Sequence, residues 1–351
     1  MLTPHLILVG GFLGAGKTTL LLAAGARLRA MGRSAGIILN DQGGELVDTR
    51  LAEATGFNAQ EIKGGCFCCR FSEFIAAAEL FADKGAPEFI LAEPVGSCTD
   101  LSATILQPIK RYYGDRFQLA PLTVLVDPAR AQEMLGPDAD PVVAYLFRKQ
   151  IAEADLVRFS KADLHEGFPP LPGIDAPPLS ARTGAGVGEW LDQVLSGENT
   201  VGARLLEIDY ARYAEAEAAL GWLNWQGELR PERPLTPAAI IGPLLASLNR
   251  LLTGAAIAIA HLKVFAQSAN GYVRAGICRN GDAPSIEGRL DTPPATRYTL
   301  TINLRAAGSP EALRALVDRA LRDLPGRFRV DHLEAFRPSA PMPEHRFEEV
   351  V

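Results

Sequence analysis

The first residues whose types and spacing suggest chemistry are glycines followed by a lysine and two threonines. They form the run Gly11-Phe12-Leu13-Gly14-Ala15-Gly16-Lys17-Thr18-Thr19, which fits G-x-x-x-x-G-K-[ST]. The run follows a predicted strand and opens a predicted helix, where backbone N–H groups turn around a phosphate. Lys17 would bridge the β- and γ-phosphates of a nucleotide, and the Thr18 hydroxyl would bind Mg²⁺. A glycine-rich turn without function is the alternative.

A second candidate site is a group of thiols. Cys66, Cys68 and Cys69 fall within four residues, between a predicted strand and a predicted helix. Thiolates are soft ligands that suit Zn²⁺, Cu⁺ or Co²⁺. Three of them leave one coordination position open, whereas structural zinc sites usually have four protein ligands. The pattern therefore predicts an open site suited to metal transfer, with a redox pair or inert packed thiols as the alternatives.

Two further segments suggest recognition of a guanine base. Ser160-Lys161-Ala162-Asp163 follows a predicted strand and resembles the N/T-K-x-D element of GTPases, with Ser160 where Asn is usual. Asp163 can accept hydrogen bonds from guanine N1–H and the exocyclic amine, and a site built for such groups rejects bases that lack them. The Lys161 stem can pack over the base. Downstream, Ser180-Ala181-Arg182 resembles the S-A-[KR] loop whose backbone supports guanine O6.

The segment Glu93-Pro94-Val95-Gly96 follows another predicted strand and has the position of a D-x-x-G switch element. The Glu93 carboxylate can reach Mg²⁺ through water or orient the attacking water. The Gly96 N–H is placed to sense a γ-phosphate, so the loop can differ between nucleotide states. A strand-end carboxylate followed by a simple proline turn is the alternative.

Cys98 is a further candidate metal ligand, two residues after Gly96. In a parallel sheet, the strands that lead into Cys66 and Glu93 end at the same edge. Cys98 could therefore approach the cysteine cluster in one nucleotide state and leave it in the other. The alternative is a small residue packed under the switch loop.

The elements that must position these residues alternate between strands and helices in the first half of the chain. Such alternation, with apolar strands, predicts an α/β fold with a mostly parallel sheet covered on both faces. The predicted strands are His5–Val9, Ala35–Asn40, Asn58–Ile62, Phe89–Ala92, Leu122–Val126 and Leu156–Phe159. The predicted helices are Thr18–Met31, Phe71–Lys84, Val142–Glu153 and Gly188–Leu195.

After about Ser196 the pattern changes to that of a smaller α+β domain. A helix is predicted at Tyr210–Trp225, and Asn270-Gly271 predicts a hairpin turn between two strands. The other predicted elements are helices Ala238–Leu252 and Pro310–Leu324 and strands Ile257–Gln267, Tyr272–Arg279, Tyr298–Arg305 and Arg327–Phe336. We therefore predict a nucleotide-binding domain at 1–203, a helical connector at 204–237 and an α+β domain at 238–351. The tail after Pro338 is expected to be poorly ordered.

Composition excludes several classes of protein. Hydrophobic residues make up 48% and charged residues 22% of the 351 residues, which is typical of globular domains and argues against disorder. A net charge of −6 argues against a dedicated nucleic-acid binder. The most apolar stretch is interrupted by Asn249 and Arg250, so no membrane span is expected. No basic segment precedes the first apolar run, so no secretory signal is expected and the predicted location is cytoplasmic.

Taken together, these elements resemble the CobW-like branch of P-loop GTPases, which is related to HypB and UreG. The resemblance covers nearly the whole chain and implies a three-layer P-loop fold followed by a CobW C-terminal-like domain. The family's second-strand signature, N-E-F-G-E, is here Asn40-Asp41-Gln42-Gly43-Gly44. The retained Asp41 is implied to bind Mg²⁺ together with Thr18 and Glu93, and with Lys17 these residues form the implied catalytic set.

The resemblance implies a GTPase that acts as a metallochaperone or as a maturation factor for a metal cofactor, with a corrinoid link as one branch of the family. The expected ligands are Mg²⁺ with GTP or GDP, and Zn²⁺ or Co²⁺ at the cysteine cluster. A client metalloprotein or cofactor-dependent enzyme is the expected partner, and a homodimer is compatible with the family. Two other hypotheses stay open: a P-loop kinase acting on a small molecule, and a non-enzymatic thiol-redox or zinc-sensing module.

Overall fold

A computed structural model describes residues 3–44, 46–83 and 87–351 of the chain. Lys84, the last residue of the predicted helix Phe71–Lys84, lies outside these ranges. The chain divides into two compact units. The first comprises Met1–Gln42, Gly56–Ala216 and Ala340–Val351, and the second comprises Gly43–Thr55 and Glu217–Ser339.

The first unit is built on a seven-stranded sheet in which the neighbouring strands are parallel. The elements of the chain up to Ala218 are β1 (His5–Gly11), α1 (Lys17–Ala30), β2 (Ala35–Asn40), α2 (Val47–Ala54), β3 (Asn58–Ile62), α3 (Phe71–Asp83), β4 (Phe89–Glu93), α4 (Gln107–Tyr113), β5 (Gln118–Leu119), β6 (Thr123–Val126), α5 (Pro128–Leu135), α6 (Pro141–Glu153), β7 (Leu156–Phe159), α7 (Val187–Leu195) and α8 (Tyr210–Ala218). A π-helical segment, Ser102–Leu106, precedes α4, and a short 3-10 helix spans Ala162–Leu164. The predicted parallel α/β fold is confirmed.

Strand order explains how this unit collects its polar loops. The order is β3-β2-β4-β1-β6-β7, with β5 pairing beside β1. The central strands β1 and β4 are buried along nearly their whole length, as expected for a parallel sheet covered on both faces. The loops that follow β1, β2, β4 and β7 therefore start from one carboxyl edge, where α/β proteins bind ligands.

The second unit is a six-stranded antiparallel sheet with the order β11-β10-β9-β12-β8-β13. Its remaining elements are β8 (Gly221–Arg230), α9 (Pro237–Gly254), β9 (Ile259–Ser268), β10 (Gly271–Ile277), β11 (Ser285–Gly288), β12 (Tyr298–Ala306), α10 (Pro310–Arg322) and β13 (Arg327–Phe336). The two long helices share an apolar core with the sheet, with Leu244, Leu248 and Val317 fully buried. The hairpin predicted at Asn270-Gly271 is present between β9 and β10.

The division of the chain differs from the predicted boundaries 1–203, 204–237 and 238–351. The predicted helix Tyr210–Trp225 ends at Ala218, and β8 begins three residues later. Residues 204–237 are therefore not a helical connector, because β8 pairs along its length with β12 and β13. The final residues from Ala340 belong to the first unit, not the second.

Helix α2 was not predicted, and it belongs to the second unit although its sequence neighbours lie in the first. The Asp48 carboxylate pairs with Lys263 at 2.5 Å, and the Val47 amide donates to the Asn303 side chain at 2.8 Å. Both contacts fix α2 against strands that are more than two hundred residues away in the sequence. Among the helices of the described ranges, none has the length and apolar character that a membrane crossing requires.

A buried carboxyl group ends helix α6. Glu153 has no solvent exposure, and its two oxygens accept hydrogen bonds from the Thr99 hydroxyl at 3.0 Å and the Ser102 amide at 3.3 Å. The pKa of Glu153 is raised to about 8, mainly because the group is buried; the Thr99 hydrogen bond lowers it and the neighbouring Asp100 charge raises it. The folded protein therefore holds a proton at neutral pH that the unfolded chain releases.

This raised pKa predicts that stability falls as pH rises. Between the unfolded-state pKa of 4.5 and the folded-state pKa of about 8, only the folded state binds the proton. In this range, the contribution of Glu153 to the free energy of unfolding decreases by on the order of 1 kcal/mol for each unit by which the pH rises. Urea unfolding at pH 6, 7 and 8 should show this slope in the wild type and a flatter one in Glu153→Gln. The exposed Glu189→Gln is the control, and equal slopes in all three proteins would contradict the prediction.

Candidate functional site: phosphate loop, base loop and thiol cluster

The loop after β1 has the geometry of a phosphate cradle. Gly14 and Gly16 have φ of 78° and 92°, in the left-handed region that favours glycine. Gly11 has φ of 130°, and a Cβ there would lie 2.4 Å from the Leu125 carbonyl oxygen. The loop turns on these glycines and enters α1 at Lys17, so the backbone N–H groups at the start of the helix are available to an anion.

Three predicted catalytic side chains meet at this loop. The Thr18 hydroxyl donates to Glu93 Oε2 at 2.7 Å, and Lys17 Nζ lies 3.7 Å from Glu93 Oε1. Lys17 also donates to the Gly11 carbonyl at 2.9 Å, so its ammonium group lies across the loop. All three side chains are nearly buried. The structure thus brings together a cation, a hydroxyl and a carboxylate at the carboxyl edge of the sheet.

The switch loop after β4 packs directly on the phosphate loop. A Cβ added to Gly96 would lie 3.0 Å from the backbone nitrogen of Leu13 and 2.7 Å from its side chain. Only glycine allows this close approach of the two backbones. Asp41 follows β2 at the same edge, and its amide donates to Ile62 at 3.2 Å. Register places Leu39 opposite Glu93, so Asp41 lies just beyond that pair.

The two predicted base-recognition loops are in contact. Asp163 Oδ1 accepts a hydrogen bond from the Ser180 hydroxyl at 2.6 Å, and the Ala162 amide donates to the Leu179 carbonyl at 3.1 Å. Lys161 adopts the left-handed conformation with φ of 56° and pairs with Asp127 at 2.6 Å. Asp163 and Arg182 are exposed, and Ala181 is half-buried. The two loops therefore form one surface at the end of β7.

Two further polar groups lie at this surface. Asp127 was not identified from the sequence, and the Ser160 hydroxyl was given no role of its own. Asp127 directly follows β6, caps α5 by accepting from the Ala129 amide, and pairs with Lys161. Its signal was the Asp-Pro pair, a typical helix start. The buried Ser160 hydroxyl has no hydrogen-bond partner within the described ranges. A buried polar atom in this position is available to a ligand.

The three clustered thiols converge in the structure as predicted. The Sγ atoms of Cys66, Cys68 and Cys69 lie within 4.8 Å of one another, with sulfur–sulfur distances of 2.8, 3.2 and 3.8 Å. A turn produces this convergence, because the Cys69 amide donates back to the Cys66 carbonyl at 3.0 Å. Zn–S bonds of 2.3 Å place the sulfurs of a tetrahedral site about 3.8 Å apart. A small outward movement of the sulfurs would accommodate such an ion.

Hydrogen bonding among the thiols polarises the cluster. Bonds with the thiols of Cys68, Cys69 and Cys98 hold the pKa of Cys66 well below its usual value. Bonds with Cys66, Cys69 and Cys98, together with burial, raise the pKa of Cys68 well above its usual value. The bond with Cys66 and burial raise the pKa of Cys69 to about 11, although its bond with Cys68 lowers it. The cluster thus concentrates negative charge on Cys66, and thiolate sulfur is the form that binds metals.

One buried amide side chain holds the cysteine loop to the nucleotide edge. Asn40, the last residue of β2, donates to the carbonyls of Ile62 at 3.1 Å and Gly65 at 2.7 Å. Its oxygen accepts from the Phe67 amide at 2.8 Å. The sequence motif contained Asn40, but its role was missed because the bonded partners are revealed only by the fold. Since Asn40 directly precedes Asp41, one strand end connects both candidate sites.

The C-terminal tail covers the outer side of the thiol cluster, contrary to the expectation of poor order after Pro338. The Met342 amide donates to Cys69 Sγ at 3.2 Å, and the Glu344 amide donates to the Cys68 carbonyl at 2.9 Å. Farther along, Arg346 pairs with Asp100 at 2.8 Å and the Phe347 amide donates to Ala103. Backbone contacts, which composition does not encode, fix this segment on the first unit.

These loops define a P-loop nucleotide-binding protein: a parallel sheet, a glycine-rich turn into α1, and a lysine and threonine at its start. Residues 5–168 match the family model described as CobW/HypB/UreG, nucleotide-binding domain. The chain therefore contains a nucleotide-binding domain of the CobW/HypB/UreG family.

Two curated proteins are similar over 44% of this chain. They are the zinc chaperone YeiR of Escherichia coli (strain K12), at 28% identity, and the zinc chaperone CobW of Pseudomonas aeruginosa, at 30% identity. The matches cover 46% and 48% of those proteins, so the chain spans about half the length of the curated relatives it matches.

Solved structures show a remote likeness. HypB from Helicobacter pylori in complex with nickel has 17% identity and a TM-score of 0.42, over 56% of this chain and 90% of that one. The Zn(II)-bound YjiA GTPase from E. coli has 14% identity and a TM-score of 0.34, over 91% of this chain and 99% of that one.

The covering tail predicts protection of Cys69. Removing residues 340–351 deletes the Met342 amide that bonds to Cys69 Sγ, and Cys69 is only half-buried even when the tail is present. We expect alkylation of Cys69, followed by mass spectrometry, to become several-fold faster. A shorter truncation, of residues 348–351 only, keeps the Met342, Glu344 and Phe347 contacts and serves as the control. Equal alkylation rates in the full chain and the longer truncation would show that the tail does not shield the cluster.

Proposed function

We propose that the protein is a GTP-hydrolysing metallochaperone in which the nucleotide state controls metal binding at Cys66, Cys68 and Cys69. The observation that supports this most directly is the Asn40 side chain. It is hydrogen-bonded to the loop that presents the cysteines, and the next residue is the candidate Mg²⁺ ligand Asp41. Chemistry at one end of β2 is thereby linked to the geometry of the thiol cluster.

The proposed hydrolytic site uses the residues that meet at the phosphate loop. Lys17 neutralises charge on the β- and γ-phosphates, and the Gly96 amide binds the γ-phosphate from the adjacent loop. Glu93 orients the attacking water. Thr18, Asp41 and Glu93 are hard oxygen donors that fit Mg²⁺, which when bound supplies charge neutralisation between the phosphates. The nucleotide is also held by Gly11, Gly14, Ala15, Gly16 and Thr19.

The proposed base site is the joint surface of the two loops that follow β7. Asp163 binds the guanine N1–H and amine, the Lys161 stem covers the base, and the backbone of Ser180, Ala181 and Arg182 lies at O6. The Ser180 hydroxyl already orients Asp163 at 2.6 Å, which supports a preformed acceptor. The buried Ser160 hydroxyl adds a polar group where an amide is usual in GTPases.

Zinc is the metal that the comparisons favour. Both curated relatives are named zinc chaperones. Because the matches cover about half the length of these relatives, we propose zinc as the metal of this chain and support it with the thiol cluster. Thiolate donors also suit Co²⁺, which a corrinoid-linked client would require. The proposed partner is a client metalloprotein or cofactor-dependent enzyme that takes the ion through one of its own ligands.

Two other functions account for less of the site. A P-loop kinase acting on a small molecule would use the phosphate loop but would give the cysteine cluster and the base loops no role. A thiol-redox or zinc-sensing module would use the cluster but would not need the contact between Lys17, Thr18 and Glu93. A GTPase with a metal cargo uses both.

Metal analysis tests the proposed function. Anaerobically purified protein should bind stoichiometric Zn²⁺, and its affinity, measured by chelator competition, should differ between a non-hydrolysable GTP analogue and GDP. Cys69→Ser should lower the Zn²⁺ affinity at least about tenfold. Replacing residues that only hydrogen-bond to metal ligands already lowers metal affinity about 10–100-fold. Cys278→Ser, a cysteine of the second unit, is the control. Absence of Zn²⁺ binding, or equal affinity in both nucleotide states, would refute the proposal.

The base site predicts a change of nucleotide preference. Asp163→Asn replaces an acceptor by a donor, so guanine is mismatched and xanthine, with its complementary carbonyl, is favoured. We expect the ratio of XTP to GTP affinity to rise by at least about tenfold, or about 1.4 kcal/mol. Lys17→Ala removes a phosphate contact instead and should weaken both nucleotides alike. An unchanged ratio in Asp163→Asn would exclude Asp163 as the base-recognition residue.

A further inference from the structure

A fourth thiol lies beside the cysteine cluster. Cys98 is 1% exposed, and its thiol is within hydrogen-bonding reach of those of Cys66 and Cys68. The mutually close group consists of Cys66, Cys68 and Cys69, and Cys98 adjoins its two buried members. Cys69, by contrast, is half-buried and bonded to the tail.

The position of Cys98 has a direct consequence for coordination chemistry. Three thiolates leave a tetrahedral ion with one free position, whereas four thiolates close the site. The four cysteines are contributed by two different loops, one after β3 and one after β4. An ion held by all four would therefore join these loops, and an ion held by three would leave them independent.

Hydrogen bonds tie the loop that bears Cys98 to the switch glycine. The Gln150 side-chain amide donates to the Gly96 carbonyl at 2.9 Å and to the Cys98 carbonyl at 2.8 Å. The Cys98 amide in turn donates to Val95 at 2.9 Å. These three bonds fix residues 95–98 as a turn. A shift of Gly96 against the phosphate loop is thus transmitted to Cys98 two residues away.

Beyond Cys98 the chain is anchored rather than free. Thr99 bonds to Glu153 and to the Tyr213 hydroxyl, and Asp100, with φ of 66°, bonds to Tyr210 and Arg346. The segment is fixed at Asp100, and Gly96 packs against the phosphate loop. Its conformational freedom is therefore confined to the residues between these two points. Cys98 lies in that interval.

We propose that Cys98 is a fourth, switchable metal ligand that closes the site of Cys66, Cys68 and Cys69 in one nucleotide state and opens it in the other. This inference rests on the proposed function, because it requires both a bound metal and a responsive Gly96 loop. Binding of the fourth thiol releases its proton to solvent, and no oxidation or reduction takes place. Linkage then requires the bound metal to change GTP affinity by the same factor by which GTP changes metal affinity.

The test compares coordination number and affinity in the two nucleotide states. Co²⁺ serves as the spectroscopic probe, because thiolate-to-Co²⁺ charge-transfer absorption increases with the number of bound thiolates. Wild-type protein should show a four-thiolate spectrum with one nucleotide, either the GTP analogue or GDP, and a three-thiolate spectrum with the other. Cys98→Ser should show the three-thiolate spectrum with both.

Zn²⁺ competition supplies the second readout. In the closed state, Cys98→Ser should lower the affinity at least about tenfold, with little effect in the open state, so that the difference between states collapses. Cys98→Ala tests the same loss with a small apolar residue, and GTP-analogue binding confirms that each variant is folded. Cys278→Ser is the matched control.

The outcomes separate this inference from the function it rests on. If wild-type protein binds Zn²⁺ with nucleotide-dependent affinity, but both Cys98 variants retain the same affinities and the same Co²⁺ spectra, the fourth-ligand proposal is overturned and the metallochaperone proposal stands. If Cys69→Ser also leaves metal binding unchanged, the whole cluster is excluded as the metal site and both proposals fall.

Discussion

The arrangement of both candidate sites depends on three hydrogen bonds made by the Asn40 side chain. They join the end of β2 to the carbonyls of Ile62 and Gly65 and to the Phe67 amide, in a position that is 7% exposed. A buried donor or acceptor left unpaired costs about 1–3 kcal/mol. The cysteine loop therefore cannot separate from β2 without exposing several such groups. The Asn40 side chain is thus a direct hydrogen-bonded connection between the end of β2 and the cysteine loop.

The features that could be predicted from the sequence are those that neighbouring residues determine. Strands β2, β3, β7 and β13 begin and end at the predicted residues, because short apolar or alternating runs between turn-forming residues determine them locally. The contact between Lys17, Thr18 and Glu93 also follows from the sequence, since parallel strands end at one edge. The turn that brings Cys69 back to Cys66 is likewise local, because the Cys69 and Arg70 amides both donate to the Cys66 carbonyl.

Structural features that depend on residues far away in the sequence were either not predicted or predicted wrongly. Residues 210–225 have an alanine- and glutamate-rich start that favours a helix, but beyond Ala218 the apolar–polar alternation of Leu223, Asn224, Trp225 and Gln226 suits a strand equally well. Pairing with β12 and β13 decides in favour of the strand. Helix α2 is amphipathic but short, and its contacts with Lys263 and Asn303 are not visible in its own sequence. Distant pairing overrides local propensity in both cases.

The tail gives the cluster two unlike sides. On the inner side, Cys66 and Cys68 are buried and neighbour Cys98. On the outer side, Cys69 is half-buried and receives a hydrogen bond from the Met342 amide. The hydrogen bond from the Met342 amide lowers the pKa of Cys69, but the bond with Cys66 and burial outweigh it and raise that pKa to about 11. The same tail is tied by Arg346 to Asp100, two residues beyond Cys98. One segment therefore contacts both sides of the cluster: its Met342 amide bonds to Cys69, and its Arg346 side chain holds the loop that carries Cys98.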